Sequence, residues 1–373
     1  MRICIDARVS RSWDAGTGRL TLALLEGLAR EGPQHEYVVL LHRHAAPPPI
    51  TEPERFQVER SGPTNGLIGQ HALFGVWARA RRIDVAFHPH QHALPLWPGV
   101  PSVGMVLDLL PLLFPEQFSR FHVVYYRTII RHAAPRQDAL LVISQATRDD
   151  VTRHLGMPPD RVDVLPLAPA AEMHAMAPAE ARAVLTRFDL SRPFVLYVGN
   201  ARAHKNLGGL LDAFCELKLQ TQWNLVIVGR ENPGESERDY RPWRSRMDAL
   251  GLTPAVRFIG AVSDRELAAL YSTTSALALV SFYEGFGLPV LEGMACGAPV
   301  VASRAGALPE VAGDAAVFVD PTDTHSIAEG LRRVLFDAPQ TAARRTAAIG
   351  RAAQFSWTDS ARQLLAALER VAA

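Results

Sequence analysis

Two doubly wound α/β domains are what this sequence predicts, and three observations predict them. Strand-like apolar runs alternate with helix-like segments, the pattern that builds parallel sheets covered on both faces. The alternation pauses in an alanine- and proline-rich stretch over residues 168–193 and then restarts. The chain's 373 residues also exceed one ordinary hydrophobic core.

In the first half, residues 3–7 read as a buried strand and 21–29 as a helix with Leu22, Leu25 and Leu28 on one face. Between them Gly16-Thr17-Gly18-Arg19 opens the helix on a glycine loop. Such a loop brings backbone close to phosphate, although an ordinary turn fits it as well. Residues 37–41 are the next strand, the prolines at 47–49 mark a loop, and 67–82 read as a helix. Its last turn carries Arg79, Arg81 and Arg82, either a solvated end that complements the helix dipole or a docking patch for anionic lipid. The strand from Asp84 ends in His88, His90 and His92 at alternate positions. Alternation would set three imidazoles on one face of an extended segment, where they could hold a metal, but no second ligand cluster supports that use. Strands over 103–107 and 139–144 and helices over 125–132 and 147–154 follow, and a strand at 162–166 closes the half.

The second half repeats the scheme with strands at 194–199, 224–229, 257–260, 276–280, 300–302 and 316–319, and helices at 207–218 and 264–271. A last helix over 358–373 comes after the sheet is complete. The richest stretch is 281–301. An apolar strand leads into Glu284-Gly285-Phe286-Gly287-Leu288-Pro289, a glycine turn, and Pro289 suits the first position of a helix. The start of that helix offers unpaired N–H groups to phosphate or sugar hydroxyls. Glu284 before the turn and Glu292, two turns into the helix, could both accept hydrogen bonds from vicinal hydroxyls of one ligand.

Composition narrows the partners. A net charge of +1 gives no bulk attraction to nucleic acid. Lys205 and Lys218 are the only lysines, so each one is conspicuous. Cys4, Cys215 and Cys296 are far apart in apolar surroundings and read as reduced core thiols, which points to the cytoplasm. Arg2, Asp6 and Arg8 interrupt the first apolar run, so no secretory signal is legible there. Residues 93–114 are apolar enough to suggest a membrane span, but Pro95, Pro98, Pro101, Asp108 and Pro111 argue for buried strands and loops.

These motifs together resemble the retaining, nucleotide-sugar-dependent glycosyltransferases of family 4, which have the GT-B fold. The resemblance is carried by the first strand with Gly16-Thr17-Gly18-Arg19, by Asp108-Leu-Leu-Pro111, by Gly199-Asn200-Ala-Arg202-Ala-His204-Lys205-Asn206, by Tyr283-Glu284-Gly-Phe-Gly-Leu-Pro-Val-Leu-Glu292, and by Ala305-Gly306-Ala-Leu-Pro309-Glu310. It implies Rossmann-like domains over 1–168 and 169–357 facing across a cleft, with the 358–373 helix crossing back to the first. It further implies that Arg202 and Lys205 grip the donor pyrophosphate and that Glu284 approaches the sugar. Glu292 would bind ribose hydroxyls, and Asn200 and the backbone N–H groups of Phe286, Gly287 and Leu288 would complete the donor site. The Gly16 and Gly18 loop, Leu107 and Asp108 would line the opposite wall. Fixed cations would stabilise the nucleoside diphosphate leaving group without a metal.

The resembling enzymes build lipopolysaccharide, O-antigen or exopolysaccharide, many with mannose. A GDP-linked donor, a lipid-linked or saccharide acceptor, and peripheral contact with the anionic inner leaflet are therefore expected. One departure is Leu107, where relatives commonly carry a histidine that contacts the sugar 6-hydroxyl. A 6-deoxyhexose donor is the corresponding alternative. An epimerase or hydrolase, or a non-catalytic nucleotide-sugar binder, are further alternatives on the same fold. A dehydrogenase is disfavoured because the first unit lacks a full G-x-G-x-x-G with its following acidic residue.

Overall fold

A computed structural model describes residues 1–10, 12–13, 16–60, 69–190, 192–229 and 240–373. It divides into two compact units, Met1–Leu167 with Ser356–Ala373, and Ala168–Phe355. The start of the helix expected over 67–82 lies outside the described residues.

Among the described residues, the first unit carries β1 (Arg2–Asp6), β2 (Glu36–Leu41), β3 (Phe56–Arg60), β4 (Val85–His88), β5 (Ser102–Val106), β6 (Ala139–Val142) and β7 (Val162–Val164). They form one parallel sheet in the order β3-β2-β1-β4-β5-β6-β7. The central strands are buried throughout, which is why their sequences are continuous apolar runs and not alternating ones. The edge strand β3 was not legible: Phe-Gln-Val-Glu-Arg has one buried residue, and its pattern is that of a solvated edge.

The second unit carries β8 (Phe194–Val198), β9 (Asn224–Val228), β10 (Val256–Gly260), β11 (Ala276–Leu279), β12 (Val300–Ser303) and β13 (Ala316–Val319). Their order is β10-β9-β8-β11-β12-β13, again all parallel. Its helices start where local chemistry dictates. Ser263 and Glu266 form a reciprocal capping box at the head of Asp264–Thr273, and Asp323 caps Thr324–Leu335. In each sheet the strand order turns back once, between β1 and β4 and between β8 and β11. The carboxyl ends of the strands flanking such a reversal are the usual place for a ligand in an open α/β sheet.

The helix Trp357–Ala372 belongs with the first unit. It packs on Thr17–Glu31, where Ala361 lies against Gly27, and Ser360 Oγ donates to the Pro166 carbonyl at 2.6 Å. Ion pairs Arg362–Glu31 and Arg370–Asp163 line its flanks. The three cysteines are free thiols; Cys4 and Cys296 are buried, and burial pushes Cys296 up to about 12. Among the described residues, no helix is long and apolar enough to cross a membrane.

Candidate functional site

The carboxyl ends of β8 and β11 bring together the two residues that the sequence singled out as a lysine and a glutamate. After β8 the chain runs through Gly199–Ala201 into a 3-10 turn, Ala203–Lys205. This loop is anchored by its own carbonyls. Tyr240 Oη donates to Gly199 O at 2.7 Å, Tyr197 Oη to Asn200 O at 2.8 Å, and Trp243 Nε1 to Ala201 O at 3.2 Å. The Asn200 carboxamide accepts from Arg202 N, so it shapes the turn that presents Arg202.

After β11, Glu284 is buried and its carboxylate is held from two sides. Lys205 Nζ donates to Oε1 at 2.7 Å and Oε2 at 2.8 Å, and Ser281 Oγ donates to Oε1 at 2.6 Å. The lysine side chain is 15% exposed and the glutamate side chain 9%, so the pair is shielded from bulk water on most sides. An ammonium ion and a carboxylate thus stand at one switch point. The ammonium is suited to phosphate oxygens and the carboxylate to hydroxyls.

Asn206 locks the two loops in register. Its backbone has φ 54°, it caps the helix Leu207–Glu216 by accepting from Gly209 N, and its amide donates to Val280 O at 3.0 Å and Pro321 O at 2.7 Å. Phe282 N donates to His204 O at 2.7 Å, a second tie. Gly306 presses on the glutamate from beneath: a Cβ there would sit 2.4 Å from Glu284 O, and Ala307 N donates to that carbonyl at 2.9 Å. Sequence reasoning assigned no role to Ser281, Asn206 or Gly306. An asparagine directly before an apolar helix was a legible N-cap signal; Ser281 and Gly306 depend on contacts between loops distant in sequence.

Phe286 is buried against Phe355 at 6.0 Å between ring centroids, so its side chain is core and only its backbone can meet a ligand. Gly287 caps the helix Leu288–Ala295. Glu292 is the fifth residue of that helix, one turn in and not two. Its carboxylate accepts from Tyr271 Oη at 3.2 Å.

The other predicted residues lie in the first unit. Gly16 is the N-cap of Thr17–Glu31, and Gly18 is required there because a Cβ would collide with the Ser12 carbonyl. Leu107 and Asp108 follow β5, and Gln91 holds them. The Gln91 carboxamide accepts from Leu107 N at 3.1 Å and donates to Asp108 O at 3.2 Å. The Asp108 carboxylate accepts from Leu110 N, closing the turn.

The alternating histidines do not share an extended face. The strand stops at His88, and His90 accepts from His92 N at the head of a 3-10 turn, Gln91–Ala93. His88 Nδ1 donates to the buried Asp6 at 3.1 Å, and Arg8 donates to the same carboxylate. Burial alone would raise the Asp6 pKa, but the Arg8 charge and these hydrogen bonds hold it well below the usual range. Among the described residues, no group of three or more His, Cys, Asp or Glu could hold a metal ion.

Burial lowers His90 from 6.5 to about 3 and His92 to about 4. The unfolded chain therefore binds more protons than the folded chain between those values and 6.5, so stability is full above about pH 6.5 and falls as pH drops toward the folded values. The expected result is a lower denaturant midpoint at about pH 4.5 than at pH 7, with part of the difference removed in His90→Gln. Equal midpoints at both pH values would contradict it.

Comparison with known proteins agrees with this architecture. Residues 15–168 match the family described as Glycosyltransferase Family 4, and residues 183–352 match Glycosyl transferases group 1. The chain is 31% identical to O-antigen chain mannosyltransferase B of Escherichia coli over 266 residues, 69% of this chain and 67% of that protein. It is 28% identical over 268 residues to the serotype-specific mannosyltransferase WbdA of Escherichia coli, 70% of this chain but only 32% of that longer protein. Among solved structures, Anabaena HepE in complex with UDP-glucose superposes with a TM-score of 0.77 at 21% identity, covering 99% of this chain and 100% of that one. On this footing of sequence, sheet order and overall superposition, the chain belongs to glycosyltransferase family 4 and has the GT-B fold.

Proposed function

We propose that this glycosyltransferase moves a hexose, with mannose favoured, from a GDP-linked donor to a lipid-linked or saccharide acceptor in cell-surface polysaccharide synthesis, retaining the anomeric configuration and needing no metal. The observation that carries the reading is the Lys205–Glu284 pair at the switch point of the second sheet, with Arg202 three residues before the lysine. In this reading Lys205 and Arg202 meet the pyrophosphate. Glu284 accepts from hydroxyls of the sugar, Glu292 from those of the ribose, and the N–H groups of Phe286, Gly287 and Leu288 hold phosphate and hydroxyl oxygens. As the donor's glycosidic bond breaks, charge grows on the leaving diphosphate, and preorganised cations stabilise it where it develops. The names of both relatives favour mannose, and the O-antigen chain named for one of them favours a lipid-linked acceptor at the membrane surface.

Leu107 supports a narrower second reading. Its side chain is half-buried and apolar, which suits a C6 methyl better than a 6-hydroxyl. Burying one methyl is worth about 0.8 kcal/mol, against roughly 1–3 kcal/mol for an unpaired buried hydroxyl. A thermal-shift panel tests both readings. A true donor at about one hundred times its dissociation constant adds roughly 2.7 kcal/mol of stability. GDP-mannose is expected to shift the transition upward; a larger shift with GDP-rhamnose, reversed in Leu107→His, would establish the 6-deoxy alternative. No shift with any nucleotide sugar would refute the proposal.

A further inference from the structure

The last turn of the helix Asp264–Thr273 carries a tyrosine that the proposed reaction does not use. Tyr271 is fully buried. Its ring lies against the helix Leu288–Ala295, where a Cβ on Gly293 would stand 3.3 Å from Tyr271 Cδ1 and 2.4 Å from Leu277 Cδ2. Glycine at 293 therefore lets that helix settle onto both the ring and β11. From this position the tyrosine hydroxyl reaches Glu292 and donates to Oε2 at 3.2 Å. Burial, and after it the Glu292 charge, push the phenol well above its usual range, so it remains a donor at neutral pH.

The two ends of this hydrogen bond differ in freedom. Tyr271 is fixed by packing and by its neighbours in sequence: Ser272 Oγ accepts from Met176 N at 3.1 Å, and the Thr274 hydroxyl donates to Ala276 O at 2.9 Å. Glu292 is only half-buried, on a long side chain. Such a chain samples several rotamers, and each would set the two carboxylate oxygens in a different place. Donation to Oε2 favours one of them and leaves Oε1 and the remaining lone pairs for other donors.

We propose that Tyr271 is a positioning residue for the donor's ribose: it holds the Glu292 carboxylate where the 2′- and 3′-hydroxyls meet it together, and so sets the preference for a ribonucleoside over a deoxyribonucleoside diphosphate. The inference rests on the reading of Glu292 as the ribose ligand and goes beyond it, to what makes that ligand selective. A site built to bond a hydroxyl rejects the analogue lacking it because its own polar group is then left unpaired. A carboxylate free to swing into water escapes that penalty. Discrimination therefore depends on the restraint as well as on the charge. A phenol that only filled the core would affect stability but would not change how one nucleotide is told from another.

The test is calorimetric titration of the full chain with GDP and UDP and with their 2′-deoxy forms, so that the comparison holds for either base. Wild type is expected to bind the ribose form about tenfold more tightly than the deoxy form. Tyr271→Phe keeps the ring and removes only the hydroxyl. In that variant the ribose form should weaken about tenfold while the deoxy form binds as before, so the preference disappears. Glu292→Ala should lose the same preference, and adding Tyr271→Phe to it should remove nothing further, because the two residues act through one contact. Melting curves confirm that each variant folds. Equal weakening of both forms in Tyr271→Phe, or a preference kept in that variant but lost in Glu292→Ala, would overturn the positioning role and leave Glu292 as the ribose ligand. A wild type that binds neither nucleotide, or that is indifferent to the 2′-hydroxyl, would overturn the ribose reading of Glu292 and the inference with it.

Discussion

Lys205→Ala is expected to reduce sugar transfer by about 100- to 1000-fold, the scale of one preorganised electrostatic contact in a transition state. The structure adds a stability cost. Lys205 Nζ is the charged donor to both oxygens of Glu284, and without it the buried carboxylate keeps, among the described residues, only the Ser281 hydroxyl. Breaking a fully buried pair costs about 3–5 kcal/mol; this lysine retains some exposure, so the loss should fall below that range. Glu284→Gln separates the two effects. It removes the negative charge while keeping the shape, the contact with Ser281 and an amide oxygen that can still accept from the Lys205 ammonium, so transfer should fall as far as in Lys205→Ala while the melting transition falls less than in that variant. It also leaves the Lys205 ammonium without its carboxylate. GDP alone should therefore bind the glutamine variant more tightly than wild type, since phosphate no longer competes with Glu284 for the lysine. Steady-state transfer, melting curves and GDP titration on the two variants decide the matter. Normal turnover in Lys205→Ala removes the lysine from the chemistry.

Gly306→Ala is expected to damage both stability and activity, although the alteration is one methyl group far in sequence from the lysine. The residue has φ 53°, a conformation that costs an L-residue with a Cβ roughly 1–2 kcal/mol. The added carbon would also lie 2.4 Å from the carbonyl oxygen of Glu284 and 2.8 Å from its nitrogen. Backbone atoms cannot rotate away as a side chain can, so the glutamate loop itself must move. Displacement of a catalytic group by about 1 Å can cost on the order of 100-fold in rate. Gly350→Ala serves as the control. Gly350 lies within the helix Ala338–Ala352 with nothing within 4 Å of its would-be Cβ, so alanine there should stabilise the chain by roughly 0.5–1 kcal/mol and leave transfer unchanged. If both glycine variants behave alike, the packing of Gly306 under Glu284 does not set the site.

The strands of both sheets were readable because parallel, doubly covered strands are continuous apolar runs: Ala276–Leu279 and Asn224–Val228 have little room for any other reading. The edge strand Phe56–Arg60 was missed, since a solvated edge carries no such run, and so was the polar helix Arg241–Ala249, which buries only Met247. At the site, Lys205 and Glu284 stood out as a rare lysine and a carboxylate beside glycines. That they contact each other was not legible, because 79 residues separate them and the β8–β11 adjacency that joins them is a property of strand order. The same reason hid Ser281 and Gly306, whose roles exist only once three loops are assembled around one carboxylate. For the histidines, period-two spacing suggested an extended face, but the strand ended sooner than the spacing did.

The most direct test of the central claim is transfer from labelled GDP-mannose to a lipid-linked saccharide acceptor in excess chelator, with the product's anomeric configuration read by NMR. The account predicts an α-linked mannosyl product from the α-linked donor, undiminished by chelation and lost in Lys205→Ala. Release of free mannose without glycosidic product, an inverted linkage, or activity that vanishes with chelator and returns with metal would contradict it.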